Sequence, residues 1–311
     1  MTVLTVDGGT TNTRIILAEN KAVKDVIKLS IGARANMENP KLFACEMKKA
    51  ISDLLERNNL DEGDVEKILA SGMITSEFGL CNLPHIFAPA GLKELHENMH
   101  EVTIPEISSV PFVFIRGVKT NGQTFENTDM MRGEETELMG ILNPDYKKCV
   151  YVLPGSHSKI IKVDENGKIC DFSTMLTGEM IASLSQYTIL KDAVDLKNSE
   201  TDTEFLLKGY DYCIKKGVNK ALFKTRILKN IYKCNENQTY SFFIGVVLAD
   251  EIEAIINDDC ETVVLGGKSQ IKNAMAEILY KRCDKKVISL SDDEVNNSTV
   301  CGAIRVYENR F

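Results

Sequence analysis

The chain has 311 residues, 43% hydrophobic and 26% charged, with a formal net charge of −8. That length suits two domains of ordinary size, and the apolar fraction is ample for two buried cores. The acidic balance argues against nucleic acid or an anionic membrane as the main partner, but not against ATP, which a local nest of amide groups and a metal ion can hold.

Residues 3–17, VLTVDGGTTNTRIIL, predict a β-hairpin: a β-branched strand, a turn of glycine and small polar residues, and a returning strand. Gly8 and Gly9 lack a Cβ, so the turn can bring its amides close to an anion, while Thr10, Thr11, Asn12 and Thr13 add side-chain donors. Asp7, ending the first strand, is placed to hold a hydrated Mg²⁺ beside that anion. A nucleotide phosphate site fits this pattern; a Gly-Gly turn that is polar only for solubility has the same letters.

Residues 22–29 predict a third strand, completing a meander. Asn39 and Pro40 open a helix with Leu42, Cys45, Ile51, Leu54 and Leu55 on one face, ended by Asn58 and Asn59. Short strands are expected at 67–71 and 111–115, an ordered loop at 84–91 and a polar loop at 119–129. A helix starts within MRGEETELMG and closes at Asn143, Pro144 and Asp145.

Residues 150–163, VYVLPGSHSKIIKV, repeat the first hairpin: an apolar strand, Gly155 at the turn, the hydroxyls Ser156 and Ser158, the base Lys159, then Ile160 and Ile161. Aligned this way, Arg14 corresponds to Lys159, the second turn is two residues shorter, and Pro154 replaces the carboxylate. Two such halves imply a nucleotide held between two domains, residues 1–145 and 146–311.

Asn166 and Gly167 mark the next turn, and STMLTGEM enters a helix at about Gly178. Residues 203–256 are helical throughout, with Phe205, Leu206, Tyr210, Cys213, Phe242, Phe243, Val246 and Val247 as core. A buried strand at 262–265 runs into Gly266 and Gly267, then a helix from Ser269, a strand at 287–290 and a last helix from about Asn297.

Gly266 and Gly267 at a strand's end let an adenosine lie against the backbone, although many α/β proteins use such a pair for packing alone. A kinase acting on a hydroxyl needs a carboxylate near the acceptor oxygen. Glu134 and Glu135, at a helix start, supply it, with Glu134 ahead and Asp129 in reserve; glutamates also favour helix N-termini for the dipole alone. Arg132 could clamp a substrate carboxylate or the γ-phosphate, or be a solvated surface group. His157, inside the second turn, could donate to a phosphate oxygen or be satisfied by backbone, and the hairpin register decides where Lys159 points. His85, His96 and His100 show no metal spacing, and the nine cysteines form no C-x-x-C pair. A reducing cytosol, no membrane span and no leader peptide are the expectation, so the chain reads as a cytoplasmic protein. A homo-oligomer is compatible with the sequence and not specified by it.

The series DGGTTNTR, SGMITSEFG followed by FAPA, MRGEETELMG, VLPGSHSK and TMLTGEM resembles the 2-dehydro-3-deoxygalactonokinase family of the actin, sugar kinase and heat-shock ATPase superfamily. The matching motifs span roughly the first 180 residues, and MRGEET and PGSHSK are the specific ones. The resemblance implies an α/β fold of two ribonuclease H-like (actin-like ATPase) domains with a nucleotide cleft between them. It implies ATP-dependent, Mg²⁺-assisted phosphorylation of the terminal (C6) hydroxyl of a small-molecule sugar acid, 2-dehydro-3-deoxy-D-galactonate, in galactonate breakdown. Carried over, residues 7–14 form the first phosphate motif, 154–159 the second, Gly266 with Gly267 the adenosine motif, and Gly133 with Glu134 the base. Ser71, Gly72, Met73 and Ser76, with Thr177, Gly178 and Glu179, would line the cleft on the sugar side or near the γ-phosphate. Some members carry an aromatic residue at the position of Gly8, whereas this chain has glycine there and no tryptophan anywhere; the acidic Glu77, in the loop from Ser71 to Gly79, is a second departure and could alter sugar preference. A kinase for another sugar acid or polyol, and a non-kinase ATPase or phosphohydrolase of the same fold, are the alternatives.

Overall fold

The computed structural model describes residues 1–146, 148–197, 200–267 and 270–310. The chain opens with the expected meander. Strands β1 (Thr2–Gly8) and β2 (Thr13–Glu19) pair antiparallel with Asp7 opposite Arg14, and β3 (Ala22–Leu29) pairs with β2. Period-two alternation turns Leu4, Val6, Ile15 and Leu17 into the core, and Thr13 with them, so the Thr13 hydroxyl is no donor at the turn.

Helix α1 (Ala33–Glu38) precedes α2 (Pro40–Glu56), which is capped by the Asn39 side chain accepting from the Leu42 amide at 3.1 Å. The buried face of α2 is Phe43, Met47, Ala50, Ile51, Leu54 and Leu55, whereas Leu42 and Cys45 are exposed. The helix is therefore turned from the expected face, because Phe43 and Met47 extend the 50/51/54 stripe at helical spacing and Leu42 does not.

Strand β4 (Lys67–Gly72) lies parallel to β1, with β5 (Ile86–Phe87), α3 (Leu92–Glu97), β6 (His100–Ile104), β7 (Ser108–Phe114), β8 (Val118–Lys119), β9 (Met130–Met131) and α4 (Glu134–Ile141) following. Helices α1 and α3 and strand β6 were not expected, since five or six residues carry too few periods to register.

The second half runs β10 (Cys149–Leu153), β11 (Ser158–Val163), β12 (Ile169–Met175) and α5 (Thr177–Tyr187). Leu153 pairs with Lys159, so it is Leu153, not Pro154, that occupies the position of Asp7, and the second turn is one residue shorter than the first. The long helical stretch is three helices, α6 (Thr203–Lys216), α7 (Val218–Asn230) and α8 (Glu236–Ile256), broken by Gly217 at φ +82° and by residues 231–235. Then come β13 (Thr262–Leu265), α9 (Gln270–Arg282), β14 (Lys286–Ser289), α10 (Asp292–Asn296) and α11 (Ser298–Glu308). Ser269, where a helix start was expected, lies outside the described residues.

The two principal sheets share one plan. One has the order β3-β2-β1-β4-β7-β6, the other β12-β11-β10-β13-β14, each an antiparallel meander whose first strand pairs parallel with a later one. The chain divides into two compact units: Met1–Lys147 with Asp164–Asp171 and Asn296–Phe311, and Lys148–Val163 with Phe172–Val295. The last helix thus joins the first unit. It crosses α4 closely, because a Cβ on Gly302 would fall 1.8 Å from the Thr136 carbonyl oxygen, and Arg305 Nη1 donates to the Met139, Gly140 and Leu142 carbonyls at the end of α4. The core of the second unit is built on α8, where Phe242, Phe243, Val246 and Val247 are buried as expected. Among the described residues no helix is long and apolar enough to cross a membrane.

Candidate active site

In the first unit three glycines stack the elements that carry the candidate residues. Gly72 has φ +83°, and a Cβ there would lie 2.6 Å from the Gly8 carbonyl oxygen; Gly133 has φ +112°, and a Cβ there would lie 3.2 Å from the Gly72 Cα. Only a residue without a side chain satisfies both the conformation and the approach. The stack brings the first turn, the end of β4 and the start of α4 together.

The turn itself is ordered by its neighbours. The Gly9 amide donates to the Asn12 carbonyl at 2.8 Å, and the Ala33 and Arg34 amides at the start of α1 donate to the Gly9 and Thr10 carbonyls. Thr10, Thr11 and Asn12 are exposed, with Asn12 Nδ2 donating to Thr11 Oγ1 at 3.0 Å. With carbonyls engaged from behind, the polar side chains are left facing outward.

Asp7 is 31% exposed, and Arg14 Nη1 lies 3.9 Å from its Oδ2. Burial pushes the Asp7 carboxyl above its ordinary value; Arg14 opposes that shift, and the charge of Glu134 adds to it. Asp7 and Glu134 are therefore electrostatic neighbours across the glycine stack. Glu134 is partly exposed and accepts from the Arg132 amide at 3.0 Å. Glu135 is fully buried, accepts from the Gly133 amide and from Thr136 Oγ1, and is pushed up to about 8, chiefly by burial and then by the charge of Glu134.

The expected acceptor-side residues separate into two groups. Ser71 and Ser76 are buried, and Ser76 Oγ donates to the Met73 carbonyl at 2.6 Å while accepting from the Phe78 amide, so its hydroxyl is spent inside its own loop. Met73 is half-exposed beside Gly72. Arg132 turns inward: Nη1 donates to the Thr75 carbonyl at 2.7 Å and to its hydroxyl at 2.5 Å, Nη2 to the Leu83 carbonyl at 3.0 Å, and His85 Nδ1 lies 3.3 Å from Nη2. Burial and the Arg132 and Lys119 charges push His85 down to about 4, so it is a neutral acceptor there.

In the second unit the other three motifs converge. The Gly178 and Glu179 amides at the start of α5 donate to the Gly155 and Ser156 carbonyls at 3.1 and 3.3 Å, and a Cβ on Gly267 would lie 3.0 Å from Pro154. Gly266 extends the parallel ladder, its amide donating to the Val152 carbonyl at 2.8 Å. Gly155, Ser156 and His157 are exposed at the turn, whereas Lys159 is buried. His157 Nε2 and Glu179 Oε1 lie 2.9 Å apart.

One residue here escaped sequence reasoning. Glu251, on α8 and 1% exposed, accepts from Ser158 Oγ and, at 2.5 Å, from Thr177 Oγ1. Burial pushes its carboxyl up and the two hydroxyls hold it down. It ties the second turn to the start of α5. The available signal was a carboxylate four residues after Val247 on a helix face that is otherwise buried and apolar.

The chain is 24% identical to the 2-dehydro-3-deoxygalactonokinase of Escherichia coli K12 over 260 residues, covering 81% of this chain and 80% of that protein. A solved Sinorhizobium meliloti structure with a provisional 2-dehydro-3-deoxygalactonokinase assignment superposes with a TM-score of 0.76 at 20% identity, over 97% of this chain and 98% of that one. The activator of 2-hydroxyisocaproyl-CoA dehydratase from Clostridium difficile, solved with bound ADPNP, superposes with a TM-score of 0.50 at 11% identity, over 99% and 95%. The fold is that of the actin-like ATPases and sugar kinases. The 2-keto-3-deoxy-galactonokinase family model matches residues 7–300, and the chain belongs to that family.

Proposed function

We propose that the chain is an ATP-dependent kinase that phosphorylates the terminal hydroxyl of 2-keto-3-deoxy-D-galactonate. Family membership supports the reaction class. The observation that carries the residue roles is the grouping, in one unit, of the Gly8–Asn12 turn, Asp7 and the partly exposed Glu134 at the start of α4.

In this reading Glu134 accepts the proton of the sugar hydroxyl as its oxygen bonds to the γ-phosphorus, and the bond from that phosphorus to the β,γ-bridging oxygen breaks, releasing ADP. Within the first unit the Thr10, Thr11 and Asn12 side chains are phosphate donors; within the second, the exposed turn residues Gly155 and Ser156 are phosphate donors of their own, with His157 beside them. Gly266 and Gly267 lie under the adenosine. Asp7 fits a magnesium ion: it is a hard oxygen ligand, partly exposed, whose raised carboxyl pKa a nearby cation would relieve. Bound there, magnesium would neutralise charge on the phosphates. The fully buried Glu135 acts on the helix start, not on substrate. A cytosolic location belongs to the same reading, since all nine cysteines are free thiols.

The test is ATP turnover with and without a panel of 2-keto-3-deoxy sugar acids, with the product identified by mass spectrometry. Acceptor-dependent ADP release together with a phosphorylated sugar acid is expected. Equal hydrolysis without acceptor, and no phosphorylated product, overturns the reading in favour of a plain ATPase.

A further inference from the structure

A kinase for a sugar acid has to recognise a carboxylate, and Arg132, in the MRGEET segment, was one candidate for that group or for the γ-phosphate. The fold employs it otherwise: Thr75, Leu83 and His85 take up its terminal nitrogens, which pins the 75–85 loop to the start of α4. A second arginine in the same unit is differently placed. Arg116 follows β7, a strand parallel to β4, and its flanking residues fix its position. The Ile115 amide donates to the Ala70 carbonyl at 2.8 Å, next to Ser71. On the other side the Gly117 carbonyl accepts from the Ile86 amide at 3.0 Å, and a Cβ on Gly117 would fall 2.5 Å from the Met131 carbonyl oxygen.

Arg116 thus stands at the carboxyl end of the parallel strands, bracketed by the β4 end and by the segment leading to Glu134. Its charge is felt by the half-buried Cys81 thiol, which places the guanidinium beside the loop that follows β4. The Nε of Arg116 is buried without a hydrogen-bond partner among the described residues, where nearly all such groups are satisfied. The Arg116 side chain as a whole is only partly buried, so its guanidinium, short of one partner at Nε, is open to an acceptor at its fork, whose planar geometry matches a carboxylate.

We propose that Arg116 is the residue that binds the carboxylate of the acceptor sugar acid. The assignment rests on the kinase reading above and deepens it: Arg116 selects acids, Arg132 shapes the loop. Neutral sugars of the same length lack the group that pairs with Arg116, so the site disfavours them by leaving the cation unmatched.

Kinetics with 2-keto-3-deoxy-galactonate and with its carboxamide, at saturating ATP, test this on the full chain. For Arg116→Met the KM of the acid should rise roughly 10- to 100-fold, as for loss of a charge-assisted pair. The KM values of the carboxamide and of ATP should stay unchanged. Arg116→Lys, which keeps charge but not the fork, should recover part of the preference for the acid. An unaltered acid-to-carboxamide ratio in Arg116→Met, or equal losses on both, overturns the proposal. Should Arg116→Met fail to fold, an unaltered ratio in Arg116→Lys does the same. Loss of the acid preference in Arg132→Met, with Arg116→Met unaffected, would assign the role to Arg132. A wild-type protein inactive on every sugar acid overturns the kinase reading itself, whereas an active one with intact discrimination in Arg116→Met overturns only Arg116.

Discussion

Glu135 folds back over the start of its own helix and accepts the Gly133 amide with both carboxylate oxygens, at 3.0 and 2.8 Å. Its neighbour Glu134 is left partly exposed on the side of Asp7. Two adjacent glutamates at one helix N-terminus thus sit differently: both accept a backbone amide there, Glu135 fully buried and Glu134 partly exposed.

Glu134→Gln should lower kcat by about 10²- to 10⁴-fold, the range for loss of a positioned general base. The KM for ATP should change little, because Glu134 is not among the phosphate-turn residues. Steady-state kinetics with both substrates varied decides it; a loss confined to KM would remove Glu134 from the chemistry.

Glu135 predicts a pH effect on stability. Its carboxyl lies at about 8 in the folded chain against an ordinary 4.5, so the native state holds the proton more tightly. The associated stabilisation is fully present below about pH 4.5 and is lost as pH rises toward 8, at no more than about 1.4 kcal/mol per pH unit. Denaturant unfolding of the wild type and Glu135→Gln at pH 5, 6.5 and 8 should show the wild type losing ground steadily. Parallel profiles would mean that Glu135 is ionised in the folded protein.

Gly72→Ala combines a φ of +83° with a Cβ 2.6 Å from the Gly8 carbonyl oxygen. Strain of about 1–3 kcal/mol is expected from the backbone alone, and the contact adds to it. Since the same contact seats the first turn, activity should fall beyond what stability explains. Circular dichroism melts paired with turnover at a temperature well below the melt separate the two effects.

Glu251→Leu should destabilise the second unit, because the Ser158 and Thr177 hydroxyls lose their buried acceptor at about 1–3 kcal/mol each. Glu251→Gln retains an acceptor and should cost less. The turn at residues 155–157 is anchored through Ser158, so the KM for ATP should rise in the same order, measured by nucleotide titration. Equal nucleotide affinity in all three proteins would limit Glu251 to a structural role.

Much of this architecture was present in local sequence. The hairpins at 3–17 and 150–163, their repetition, and the strands leading into Gly72 and into Gly266 and Gly267 rest on period-two patterns and turn glycines, which act between near neighbours. Expectations that depended on register or on which way a helix faces did not survive intact. Leu153 instead of Pro154 matches Asp7, Phe43 and Met47 replace Leu42 and Cys45 in the core, and Gly217 divides a seemingly continuous helix.

Sequence alone determined the repeated strand-turn-strand plan, the acidic helix start and the chemistry offered by each residue type, because those are properties of single residues and of spacing. Tertiary structure alone decided which glutamate is buried, which arginine is occupied, and that α11 packs on α4. Those outcomes depend on groups far apart in the chain, such as Arg132 with Thr75 or Arg305 with Met139, whose meeting no local period encodes.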